Sequence, residues 1–298
     1  MSKITSWIDA HHHLWDLDTV HYPWLAAKGE KRFFGQPDPI RKNYIVKDFA
    51  SDHQHKISQS VHIQVGASNS LEETALIHRL SQSAQNDDRH FPSAAVVAID
   101  MRQPSIEQQL TPHLSYGITR GARDIIGKSP EENKYLPAFN AGIWLNNWQY
   151  LARKSLSFDL QLTSEQYHIV LKTLKQVPEL KVAICHFASP WDQSDSGFTH
   201  WKKNMKAFAE LPNCYMKLSG FSMFKHAFDS ESFKRYAHAA IDIFGSQRCM
   251  FGSNFPVDKL YISYADLFEQ WQEVIACYNY KESMQLTSGT ATHFYQLY

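Results

Sequence analysis

Eight short apolar runs, each followed by a stretch with helical periodicity, predict an α/β fold, a (β/α)8 TIM barrel formed by residues 1–298 as a single domain. Two observations support it. Runs such as AAVVAI (Ala94–Ile99) and KVAICHF (Lys181–Phe187) are apolar without alternation, as parallel strands covered on both faces should be. The rival arrangement, a doubly wound sheet, usually carries a glycine-rich first βα turn, and the chain has no G-x-G-x-x-G.

In chain order the strands are expected at Trp7–Leu14, Ser60–Gly66, Ala94–Asp100, Gly117–Asp124, Leu156–Leu162, Lys181–Phe187, Cys214–Ser219 and Cys249–Asn254. The helices between them have recognisable ends. Ser70 and Glu73 form an S-x-x-E capping box ahead of Leu71, Ile77, Leu80 and Ala84 at helical spacing. Thr163 and Gln166 offer a second box, and Pro178 ends the helix that follows. Phe233, Tyr236, Ala240, Ile241 and Phe244 share one face of a third helix, with Gly245 as its C-terminal cap. Tyr264–Tyr278 has the same periodicity. The connection Trp15–Gln59 is unusually long and holds Tyr22, Trp24, Phe33, Phe34 and Tyr44 with three prolines. Such aromatic content argues for an ordered, aromatic-rich loop after strand 1 that caps the C-terminal mouth of the barrel.

Composition narrows the function. Hydrophobic residues make up 43% of the chain and charged residues 20%, enough for a packed core. Thirty basic residues balance thirty acidic ones, which leaves no electrostatic footprint for nucleic acid or an anionic membrane. Cys185, Cys214, Cys249 and Cys277 form no C-x-x-C pair, and three lie in strand-like runs, so reduced buried thiols are expected rather than a disulfide framework. The stretch MSKITSW lacks an apolar signal region, and the expected location is cytoplasmic.

In a TIM barrel the chemistry sits at the C-terminal strand ends. IDAHHHLWD (Ile8–Asp16) places His11 and His13 on one face of the first strand and His12 on the other. Arg123 ends the fourth strand, Asp159 and Gln161 lie on the fifth, and His186 ends the sixth. The eighth ends in GSNFPVD, with Asn254 at its tip and Asp258 in the loop beyond. Each residue alone is more often structural; together they converge on one mouth.

The ordered set IDAHHHLWD, YPWL, HIQVGASNSLEET, GARDI, SFDLQL, AICHFASP, CYMKLSG, RCMFGSNFPVD and GTATHFYQL resembles the amidohydrolase-related family of the amidohydrolase superfamily. Within it, the likeness is to the branch of sugar lactonases and 2-pyrone-4,6-dicarboxylate lactonases. That resemblance implies a hydrolase that opens the carboxylic ester of a small lactone, from carbohydrate metabolism or aromatic breakdown. His11, His13 and His186 match the family's histidines, Arg123 the arginine of GVR, and Trp24 the tryptophan of YPWL. The family's general base is the aspartate of FGSDWPV, and here that position is Asn254. The superfamily's two-metal sites use a carboxylated lysine on strand four and a histidine on strand five; TRGARD and FDLQL supply neither.

The candidate catalytic residues are therefore His11, His13, His186, Asn254 and Asp258, with His186, Asp258 or a metal-bound hydroxide as the group replacing the missing base. Trp24, Arg41, Arg123, Trp144 and Asp159 are candidates for substrate binding, and Trp191 for the pocket wall. His11, His13 and His186 can hold one Zn²⁺ or another divalent metal with a position open for water; members of this branch also work without metal. The expected partner is a small-molecule lactone, with no nucleic acid and no membrane. The alternatives are a catalytically silent barrel that binds such a ligand and a metal-dependent decarboxylase of the same fold.

Overall fold

The computed structural model describes residues 6–83, 91–129 and 135–298. All eight expected runs are strands: β1 Ile8–His12, β2 Gln59–Ile63, β3 Ala94–Ala98, β4 Thr119–Ile125, β5 Ser157–Gln161, β6 Val182–Ile184, β7 Cys214–Leu218 and β8 Cys249–Phe251. Each pairs in parallel with the next in sequence, β1 through β8. The ring is joined past β8, where Asn254 N–H donates to His11 O and His13 N–H donates to Phe255 O, both at 2.7 Å. Gly252 permits this approach, since a Cβ there would stand 2.6 Å from that of His11.

Alternate residues along the strands separate two cores, as a period of two requires. Ala94 and Val96 face the barrel interior with Ile8, Val61, Ile63 and Met250, and Phe294 and Tyr295 of the C-terminal helix pack into the same cluster. Ala95 and Val97 face the helix layer, which holds Trp144, Trp148 and Trp271. The register slips in two places, between β3 and β4 at Ala95/Val96 and in β1, and the slip in β1 shapes the site. In β1 the register slips between Asp9, opposite Ser60, and His12, opposite His62. Ala10 and His11 both turn inward at this bulge, after which alternation resumes and His12 faces the helices. There its ring stacks on Phe49 with centroids 4.1 Å apart, and Nε2 lies 2.9 Å from Ser60 Oγ.

Two capping expectations fare differently. The helix Ser70–Ser83 starts where expected, but its cap is Asn69, whose Oδ1 accepts the Leu71 N–H at 3.1 Å. Glu73 is buried and turned back to the barrel, accepting Val65 N–H at 2.8 Å, because that amide has left the strand ladder and needs an acceptor. Gln166 does reach back, its Oε1 accepting Thr163 N–H at 3.0 Å before the helix Tyr167–Leu174. Gly245, at φ +80, closes the helix Ser230–Phe244. Cys185, Cys214 and Cys249 are buried free thiols, and Cys277 is an exposed one. No helix among the described residues is long and apolar enough to cross a membrane.

The long connection after β1 has two parts. Val46–His53 is a helix of the outer ring, packed against Tyr264–Ile275. The segment before it folds over the mouth, its ends clasped where Trp15 and Tyr44 exchange backbone hydrogen bonds of 2.9 and 3.0 Å. Inside this cap Arg41 serves as a staple. Its guanidinium donates to Trp24 O and Leu25 O at 2.6 Å, to Glu30 O at 3.1 Å and to Asp38 at 2.6 Å. Removing it leaves carbonyls short of donors, at about 1–3 kcal/mol in all. Arg41→Met is therefore expected to lower Tm by several degrees and to make residues 16–43 the first site of limited proteolysis. An unchanged digestion pattern would show that the cap holds its shape without the staple.

Candidate active site

The cap and the C-terminal strand ends enclose a cavity of about 650 Å³. Its polar floor holds His13, Gln64, Arg123, Gln161, His186 and Asn254, and the cap contributes Trp24, Phe33 and Phe34 as an apolar roof. Trp24 is fixed by its indole N–H, which donates to Val65 O at 2.7 Å.

Each floor residue is positioned by a local device. Asn254 sits in the left-handed region at φ +57, which asparagine tolerates better than most residues, and turns the chain so that its side chain meets β1. His13 Nδ1 lies 2.7 Å from Ile63 O, and Nε2 lies 3.2 Å from Asn254 Oδ1. Asn254 Nδ2 in turn donates to Asp258 Oδ1 at 2.8 Å. Arg123 donates from Nη1 to Gln64 O at 3.2 Å and from Nη2 to Gln161 Oε1, leaving its Nε–H without a partner among the described residues.

His186 opens four consecutive residues of positive φ, His186–Ser189, a conformation that costs each non-glycine residue about 1–2 kcal/mol. Tertiary hydrogen bonds hold it. Tyr167 O–H donates to Ala188 O, and Trp201 Nε1–H donates to Phe187 O at 2.7 Å. The ring lies against Gly220, where a Cβ would stand 2.3 Å from Nδ1, and Nδ1 is 3.0 Å from Ser219 Oγ. Strain sustained in this way is characteristic of functional sites.

Directly beneath lies a second polar layer. His11 is fully buried, its ring centroid 4.4 Å from that of His186 and 5.2 Å from that of His13. Its Nδ1 is 3.4 Å from Nζ of Lys217 in β7, and that ammonium donates to Asp159 Oδ2. The Tyr295 hydroxyl reaches both Asp159 oxygens at 2.9 and 3.0 Å, and Cys185 Sγ is 3.9 Å from Oδ2. Lys217 was not among the residues expected from the sequence. The available signal was a lysine inside the otherwise apolar strand CYMKL.

Burial sets the protonation states. Desolvation, then the charges of Lys217 or Arg123, hold the His11 and His186 imidazoles neutral far below their ordinary range. The same causes bring His13 down to about 3, with Arg123 its main charged neighbour. Asp258 moves the other way, pushed up to about 7 by desolvation. A neutral His13 has one hydrogen and two oxygens facing it. Two charge-neutral proton arrangements satisfy this chain: an imidazolium with an ionised Asp258, or a neutral His13 with the Asn254 amide reversed and Asp258 protonated.

His13, His186, Asn254, Arg123 and Trp24 thus meet at the cavity, with Asp258 just behind Asn254 and His11 one layer below. Three expected binding residues do not line it. Arg41 is held inside the cap by backbone carbonyls. Trp144 lies in the outer helix layer between Phe139 and Phe158, because its helix, Ile143–Arg153, presents that face to the strands. Asp159 faces inward below the floor, where Lys217 and Tyr295 hold its carboxylate. Trp191 packs beside Phe33 and Phe224 without lining the cavity.

The donor groups fit a metal poorly. His11, Asp159 and Cys185 bring ligand atoms within 4.8 Å of one another, but the Lys217 ammonium is already bonded to Asp159 and faces His11. The ammonium stands 3.4 Å from His11 Nδ1, on the side where that ring would meet an ion held with Asp159 and Cys185.

Comparison with known proteins agrees with this architecture. The chain is 33% identical over 298 residues to the uncharacterized protein y4mH of Sinorhizobium fredii, covering 97% of this chain and 98% of that one. It is 25% identical over 310 residues to an L-fucono-1,5-lactonase of Burkholderia multivorans, covering 97% and 96%. Among solved structures, a Burkholderia multivorans amidohydrolase with bound zinc superposes with a TM-score of 0.80 at 22% identity, covering 98% of this chain and 100% of the other. These relatives bear out the resemblance to the lactonase branch. The sequence matches the amidohydrolase family over residues 8–297, and the chain belongs to that family.

Proposed function

We propose that this protein is a hydrolase that opens the ester ring of a small lactone in the capped cavity. The observation that carries the reading is the His13–Asn254–Asp258 chain in the cavity floor beside an Arg123 Nε–H that has no partner among the described residues. Support from relatives comes from the lactonase named above, which acts on a sugar lactone. The rigid Trp24 and the two phenylalanines suit the C–H face of such a ring.

With Asp258 ionised, Asn254 donates to the carboxylate and turns its oxygen toward His13 Nε2. A neutral His13 then sets a lone pair against an oxygen, an unfavourable contact that a proton at Nε2 relieves. The imidazole takes that proton from the water attacking the lactone carbonyl, and the resulting cation is met by Asn254 Oδ1 with the Asp258 charge beyond it. Arg123 Nε–H is the donor for the developing oxyanion; one such donor is typically worth about 3–4 kcal/mol. The ring C–O bond breaks, His13 returns its proton to the leaving alkoxide, and the hydroxy acid formed ionises with net release of one proton. Asn254 therefore needs no basicity of its own. It couples a neutral imidazole to a buried carboxyl.

A pH-indicator screen of sugar and aromatic lactones, with chelator and with added Zn²⁺, tests the reading. Acid release on a sugar lactone, unchanged by chelator, is the expected result. Binding without turnover, or CO₂ release from an aromatic acid in place of lactone hydrolysis, would overturn it. His13→Ala should lower kcat/KM by about 10²- to 10⁴-fold with Tm nearly unchanged. Asn254→Asp discriminates further, since hydrolysis seen only in that variant would mean that the native chain has no working base.

Asp258 gives the pH dependence. Its carboxyl holds a proton in the folded state that the unfolded chain releases near pH 3.8, so its contribution to stability is full below about pH 4 and is lost as pH rises to about 7. Across that window the slope from this one group is about 1.4 kcal/mol per pH unit. Asp258→Asn should remove that component from urea unfolding measured at pH 5 and 7. It should also erase an inflection near pH 7 in kcat/KM, where wild-type activity rises with ionisation of the carboxyl. Identical pH profiles for the two proteins would remove Asp258 from the mechanism.

A further inference from the structure

Lys217 takes no part in the proposed reaction, although its ammonium is buried beneath the floor. Lys217 is wholly inaccessible to solvent, in the middle of a strand, with each direction of its ammonium accounted for: Asp159 Oδ2, His11 Nδ1 at 3.4 Å, and the face of the Tyr295 ring at 5.1 Å from its centroid. We propose that Lys217 is a positioning residue: it fixes His11 in the Nε2–H tautomer and stands, as a resident ammonium, where His11, Asp159 and Cys185 would otherwise receive a metal ion.

Donor and acceptor inventory fixes the tautomer. An ammonium has three donors and no acceptor, so His11 Nδ1 can only accept. The ring of His11 is neutral and carries a single hydrogen, which must then sit at Nε2. That nitrogen is buried and has no partner among the described residues, while its ring lies against those of His186 and His13. An N–H placed under the floor without a partner is a donor held ready for an oxygen that penetrates between the two histidines. The same ammonium competes with a divalent ion twice over. It occupies the carboxylate of Asp159, and it removes the lone pair that His11 would need to join His13 and His186 as a ligand. Lys217 cannot move aside, because Asp159, Tyr295 and the surrounding strands leave it no exposed path. The proposal does not depend on lactone hydrolysis, and both readouts below are taken without substrate.

Histidine-selective ¹⁵N labelling reads the tautomer directly, with the His11 signal assigned by its loss in His11→Gln. A protonated Nε2 and a bare Nδ1 are expected at neutral pH. A bare Nε2 with a protonated Nδ1 would overturn the proposal without need of any variant at position 217. Cobalt(II) titration reads the cation site. Wild-type protein should show no cobalt–thiolate absorption, whereas Lys217→Ala should bind one ion per chain with a thiolate band that Cys185→Ser removes. If Lys217→Ala does not fold, Lys217→Met combined with Asp159→Asn keeps the core neutral, and its His11 signal should lose the Nε2–H preference. A cobalt–thiolate band in wild type, or an unchanged His11 tautomer in the neutralised pair, would overturn the assignment.

Discussion

The site depends on how the barrel ring is joined. Two backbone hydrogen bonds between the end of β1 and the segment after β8 bring His11 and His13 beside Asn254, residues that are more than 240 positions apart in the chain. Gly252 makes this possible by having no side chain where the two strands cross. The bulge in β1 then selects which histidines face inward. Closure and bulge act together: one sets the distance between the first and last strands, and the other aims the side chains across it. The cavity, the second polar layer and the hydrogen-bond chain from His13 through Asn254 to Asp258 are all built on that seam.

The floor is organised as two stacked polar layers of opposite character. The upper layer holds neutral imidazoles and an amide that can be reversed. The lower holds a fixed ion pair, Lys217 with Asp159, clamped by Tyr295. A fully buried ion pair carries a heavy desolvation cost and is weak evidence for stability. Its value here is directional, since an ammonium below and Arg123 at the floor leave the histidines between them no room for a further positive charge. The arrangement favours imidazoles that accept protons only when a carboxylate, Asp258, is there to balance them.

The fold was legible because its signal is periodic and local. Unalternating apolar runs such as Lys181–Phe187 match strands buried on both faces, and all eight were in place. The inward pair His11 and His13 was legible for the same reason, although the bulge that turns Ala10 and His11 together was not, since it depends on pairing with Val61. Arg41 and Trp144 were misplaced because residue type alone does not reveal a partner. An arginine suits a carboxylate in a ligand as well as three carbonyls in a loop, and a tryptophan suits a pocket wall as well as a helix interface. Lys217 escaped notice because its meaning comes from Asp159, 58 residues away, and from Tyr295 at the end of the chain. The Ser70–Glu73 box failed through tertiary competition, with Val65 claiming the carboxylate.

The clasp between Trp15 and Tyr44 has an evolutionary consequence. A segment whose two ends are tied to each other enters and leaves the barrel at one place, and its further ties, among them Trp24 to Val65, Phe33 to His226 and Phe34 to Tyr261, are single hydrogen bonds. Closing such a loop costs free energy that grows only with the logarithm of its length, so doubling it adds about 0.6 kcal/mol. Residues 16–43 can therefore be lengthened, shortened or exchanged while the strand ends beneath keep their register. Related barrels can acquire new roofs over an old floor, and with them new ring sizes and substituents, at little risk to folding.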